Sequence, residues 1–149
     1  MPSSKLQGRF DQARFLIGKE TMKRAYLIVV AGTLALMGLV FIAAPGAYLS
    51  GLSVSADNSE LLEVLRGFGG FYLGFAAYLF SVFFRRSSID TTIQSIVIVM
   101  SGILIGRLTG IIANGSPDPK LIASAGIELA FAIWGIVLIL RTKEGKGNG

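Results

Sequence analysis

The sequence predicts an all-α protein, a bundle of four transmembrane helices with both termini in the cytoplasm. Three observations predict it. Four apolar runs lie at residues 25–44, 61–84, 91–113 and 120–140, and each is close to the ~20 residues that cross a ~30 Å hydrocarbon core as a helix. Apolar residues make up 52% of the chain and charged residues 15%, where soluble domains carry about 25% charged residues. All of the 14 Lys and Arg except Arg66, Arg107 and Lys120 lie before the first run, between the second and third, or after the fourth. The positive-inside rule places those segments in the cytoplasm. In hydrocarbon the backbone must satisfy its own polar groups, so the runs are helices despite their Val and Ile.

Residues 1–24 form a cytoplasmic tail in which Leu6, Phe10, Ala13 and Ile17 repeat at helical spacing among basic neighbours. That stripe suits an amphipathic helix lying on the inner membrane surface; a partly disordered tail is the other reading. The first span begins at Ala25 and stops at Pro45-Gly46, a helix-ending pair. From Pro45 to about Asn58 the chain forms an outside loop. Asp57, three residues before Glu60, resembles a capping box opening the second span. Arg85 and Arg86 close that span, where cations suit the helix dipole. A short outside turn, Asn114 to Lys120, follows the third span, and Asp118-Pro119 reads as the cap and first residue of the fourth. Arg141 closes the fourth, and residues 142–149 read as a flexible cytoplasmic tail. No internal repeat relates the two halves, so an inverted-repeat transporter is not supported.

The chain has no cysteine and no histidine. Disulfides, thiolate nucleophiles, zinc clusters, haem-ligating histidines and histidine-dependent triads are therefore excluded. No cofactor and no metal is expected. The net charge of +5 comes from residues flanking the spans rather than from a basic-aromatic surface, so the expected partner is anionic lipid and not nucleic acid.

Small residues mark the packing faces. The second span carries Gly70 and Gly74, and the third carries Gly102, Gly106 and Gly110, all four residues apart. Such faces let helix backbones approach closely where lipid offers no hydrophobic drive. The fourth span places Ser124, Glu128, Ala132 and Gly135 on one face, and the first has Ala31, Ala35 and Gly38. Packing within the bundle is one reading of these faces, and a homo-oligomer interface is the other.

The costly residues are the ionisable ones. Counted from the outside turns, Glu63, Arg66, Arg107 and Glu128 all fall in the outer half of the bundle, two of each sign. Arg107 and Glu128 flank one short turn, which makes them the expected direct pair; Arg66 can reach Glu63 one turn away or Glu128 across the bundle. A charge network fixing helix register is one reading. A ligand site or ion pathway is the other.

The second span reads Glu63-Val64-Leu65-Arg66-Gly67-Phe68-Gly69-Gly70-Phe71-Tyr72-Leu73-Gly74, the third carries Gly106-Arg107-Leu108 before Asn114-Gly115-Ser116-Pro117, and the fourth carries Glu128. This combination resembles a bacterial family of small four-helix membrane proteins catalogued as a domain of unknown function. The likeness covers about Met22 to Arg141 and leaves out the N-terminal tail. It implies a four-helix bundle in the bacterial inner membrane and no particular reaction.

Three functions fit these residues. The first is a non-enzymatic accessory or assembly subunit that binds neighbouring membrane proteins, or itself, through its small-residue faces. The second is a carrier or receptor for a small amphipathic molecule or lipid at the charged layer. The third is a lipid-acting enzyme with Glu128 or Glu63 as general base, held down by the shortage of catalytic side chains. An open pocket at the charged layer favours the second and third, and a filled core favours the first.

Overall fold

A computed structural model describes residues 3–52, 54, 55, 57, 59–85, 88–114 and 119–144, with side chains described from residue 17 to 112 and from 119 to 142. All the regular structure among them is helical: α1 (Ser3–Ala43), α2 (Pro45–Gly51), α3 (Ser59–Arg85), α4 (Ile89–Asn114) and α5 (Pro119–Glu144). Four helices, over Ile17–Ala43, Ser59–Arg85, Ile89–Ile112 and Pro119–Thr142, are long and apolar enough to cross a membrane. Their outward side chains include Leu36, Phe71, Phe84, Ile98, Ile105 and Ile112, each more than half exposed. That surface suits lipid and would be costly in water.

The N-terminal tail is not a separate element. Helix α1 runs unbroken for 41 residues, roughly 60 Å at 1.5 Å per residue. Proline is absent from Ser3 to Ala43, and each of its glycines, Gly8, Gly18, Gly32 and Gly38, weakens a helix by only about 1 kcal/mol relative to Ala. Pro45 ends α1 as expected, but the chain beyond is not simply a loop. Pro45 starts α2, a short helix whose Pro45 and Leu49 are buried and whose Tyr48 meets Phe41 edge-on at 4.6 Å between ring centres. Proline at a first helical position loses no bond it would otherwise make.

Helix α3 begins at Ser59, two residues beyond Asp57, and the Asp57 carboxylate accepts the Ser55 hydroxyl. Asn58 lies outside the described residues. Arg85 closes α3 as predicted, and Arg86 and Asp118 are not among the described residues. Ser88 sits at φ 59° and its carbonyl accepts both the amide and the hydroxyl of Thr92, starting α4. Pro119 opens α5 as predicted, and the helix continues through Glu144.

Helix α1 packs along α3, and α4 packs along α5; α1 also touches α4 and α5, and α3 touches α4. Among the described residues α3 and α5 make no close approach, so they stand at opposite corners of the bundle. The core gathers toward the end that carries the chain termini. Tyr26, Leu27, Val30, Ala31 and Leu34 of α1 meet Leu79 and Val82 of α3, Ile93, Ile96 and Met100 of α4, and Ala132 and Leu138 of α5. Tyr26 donates its hydroxyl to the Phe131 carbonyl at 3.0 Å and meets Trp134 edge-on at 5.2 Å.

Close helix contact rests on Gly38 and Gly135, both on predicted small faces, and on Gly69, which those faces did not include. A Cβ on Gly38 would lie 2.8 Å from the Gly69 carbonyl oxygen, and one on Gly69 would lie 2.9 Å from the Gly38 carbonyl oxygen. This pair is the α1–α3 crossing. Gly135 is hemmed in by Val97 and the Tyr26 hydroxyl. By contrast, Gly70, Gly74, Gly102, Gly106 and Gly110 all face open space. One residue turns a helix by about 100°, so the stripe through Gly70 and Gly74 points away from α1 while neighbouring Gly69 points into it.

Candidate functional site

The α4–α5 hairpin brings Arg107 to Glu128. Arg107 lies seven residues before the end of α4 and Glu128 nine after the start of α5, which puts both roughly 10–13 Å down from the connecting turn. The Arg107 Nε donates to both Glu128 carboxylate oxygens, at 2.9 Å each. The Arg107 side chain is 25% exposed and that of Glu128 13%. Charge-assisted bonds of this length are the strong kind, and each ion removes most of the other's cost in an apolar setting.

The pair forms part of the wall of a half-enclosed cavity of about 90 Å³. Leu34 and Met37 of α1, Met100 and Ile103 of α4, and Ile127 and Phe131 of α5 make its apolar lining. Thr33, Tyr72, Ser124, Arg107 and Glu128 are its polar groups. Thr33 gives its hydroxyl proton to the Val29 carbonyl and Ser124 to that of Leu121. The cavity is therefore apolar with its polar groups concentrated on a few side chains, as ligand sites commonly are.

The other two predicted charges do not join this site. Glu63 and Arg66 are exposed on α3, and among the described residues neither forms an ion pair with Arg107 or Glu128. Arg66 makes no ion pair with Glu128; from α3 it is Tyr72 that lines the cavity beside Glu128. Helix α3 has 27 residues, about 40 Å, and Glu63 and Arg66 lie four and seven residues from its start. The four-charge layer reduces to one pair.

A second polar cluster escaped the sequence reading. Lys23, only 6% exposed, binds Asp90 at 2.7 Å and Glu20 at 3.3 Å. Beside it Lys19 donates to the Arg141 carbonyl at 2.7 Å. Together these bonds tie α1 to the start of α4 and the end of α5. The signal was present: Lys23 precedes Leu27, Val30 and Leu34 on the buried stripe of α1, at the spacing of one helical face.

No curated protein and no solved structure matches the chain. Residues 22–139 match the family described as Domain of unknown function (DUF4345). That stretch holds the ion pair and every residue lining the cavity, and leaves out the tail before Met22. On this match the chain belongs to that family of unknown function.

Proposed function

We propose that the protein is a non-enzymatic module of the bacterial inner membrane that holds a small amphipathic molecule in the Arg107–Glu128 cavity. The observation that carries this reading is the cavity itself: the bundle is packed at its terminal end and left open where the Arg107–Glu128 pair lies. With both tails in the cytoplasm, that opening falls in the outer half of the membrane. A general-base role for Glu128 fits less well, because both of its oxygens already accept from Arg107. The test is purification in native lipid followed by mass spectrometry of what stays bound. Ser124→Leu, or Thr33→Leu should the first fail to accumulate, places a larger side chain in the cavity. A molecule enriched with the parent and lost from the variant supports the proposal. Identical lipid profiles for parent and variant would contradict it.

A second reading is assembly with neighbouring membrane proteins or with further copies of the chain. The outward placement of Gly70, Gly74, Gly102 and Gly106 favours it, since small faces free of intramolecular contacts suit an approaching helix. Cross-linking in membranes tests it: Gly70→Leu or Gly106→Leu should abolish a cross-linked species that the parent forms. Unchanged cross-linking in both variants would remove this reading.

A further inference from the structure

The hydrogen bonds around Arg107 bear on the chemistry of the cavity's occupant. Arg107 holds Glu128 through Nε alone. A guanidinium carries further N–H donors on its two terminal nitrogens, in a fixed fork. Among the described residues neither terminal nitrogen donates to anything, and the side chain lines the cavity. Tyr72 lines the same cavity, and its hydroxyl has no hydrogen-bond partner among the described residues. The Thr33 and Ser124 hydroxyl protons are already used within their own helices. Spare donors therefore sit on Arg107 and Tyr72, and the natural complement is an acceptor.

Charge decides which acceptor. Arg107 and Glu128 neutralise one another. An anionic head would place a second negative group on the one guanidinium, in a medium where an uncompensated charge is costly. An uncharged carbonyl accepts the same hydrogen bonds without that cost. The cavity, at about 90 Å³, is well below the roughly 300–1,000 Å³ of pockets that enclose a whole drug-sized ligand. It has room for a head and the first carbons of a chain, not for a whole lipid. We infer that the occupant, on the binding reading above, is an uncharged amphiphile whose carbonyl oxygen accepts from the terminal nitrogens of Arg107 and the hydroxyl of Tyr72. Its chain lies along the apolar side of the cavity and leaves toward lipid.

The single tryptophan, Trp134, lies three residues beyond the cavity-lining Phe131 on α5. Bromine on a bound chain quenches it. The full chain in lipid nanodiscs is titrated with dibrominated octadecanoic acid methyl ester, and separately with the parent acid well above its pKa. The ester should give saturable quenching above the linear collisional background, and the ionised acid should bind far more weakly. Arg107→Lys keeps a charge for Glu128 but loses the fork. It and Tyr72→Phe should each raise the ester's half-saturation by about three- to tenfold, the worth of one hydrogen bond. Saturable ester binding that Ser124→Leu abolishes, but that ignores Arg107→Lys and Tyr72→Phe, overturns the head-group assignment and leaves the cavity reading standing. Equal or tighter binding of the ionised acid overturns the assignment in the same way. No saturable quenching by either probe, or binding that Ser124→Leu does not alter, overturns both.

Discussion

Arg107 and Glu128 each sit well inside an apolar helix, and a lone charge there costs about 2.5–3.5 kcal/mol near the bilayer centre on insertion scales. Their mutual bond at 2.9 Å is what makes both tolerable. Glu128→Gln leaves the guanidinium without its counter-ion and should destabilise the bundle, by less than the ~3–5 kcal/mol seen for buried pairs in soluble interiors, because water and snorkelling relieve part of it. Arg107→Gln should do similar harm, and the double variant should recover much of the loss. A thermal-stability cycle over the four proteins measures the coupling; additive losses would mean that the pair does not form. This pair was legible in the sequence because depth can be counted along two helices from a turn they share. Glu63 and Arg66 misled for the same reason. Counting gives depth and not direction. Lys23 was missed because it lies beside the run of tail cations, where a solvated charge is the default reading.

At the scale of elements, the four spans were legible because lipid leaves the backbone few alternatives to helix. Which stripe turns inward was legible on α1 and α5, through Ala31, Gly38, Ala132 and Gly135, but not on α3 and α4. Gly69 and Gly70 are adjacent, and spacing alone favoured Gly70 with Gly74; the partner helix, through Gly38, chose Gly69. Substituting either crossing glycine with alanine drives a Cβ against backbone of the opposing helix. Gly38→Ala and Gly69→Ala should therefore each lower thermal stability, at about 1–3 kcal/mol by the overpacking route. Gly70→Leu and Gly106→Leu should leave the fold within about 0.5 kcal/mol of the parent, as surface changes usually do. The reverse order of effects would mean that α3 is rotated from the arrangement described. Helix α2 was read as loop because seven residues after a helix-ending Pro-Gly pair carry no usable periodicity. The continuity of α1 also went unread, since a stripe of apolar residues among basic ones looks alike on a membrane surface and on an extended helix. Gly18 has open space around it, so Gly18→Ala should raise helix content or thermal stability, by up to about 1 kcal/mol; a loss would mean that residue 18 is a bend.

For the whole molecule, the proposed orientation, with both tails in the cytoplasm, would put α2 and the cavity toward the outside. The chain has no cysteine, so single cysteines report cleanly. An impermeant thiol reagent should label Ser50→Cys in intact cells and reach Gly147→Cys only after permeabilisation; the opposite pattern would invert the protein and move the cavity to the inner half. The packed terminal end is tied by Lys23 to Asp90 and by Tyr26 to Phe131. Whether the cavity holds a molecule is the central claim, and a high-resolution structure of the protein purified in its native lipid tests it most directly. The account predicts non-protein density between α1, α4 and α5, with an atom within hydrogen-bonding distance of the terminal nitrogens of Arg107. Helices closed together there, with protein side chains filling the space and satisfying those nitrogens, would contradict it.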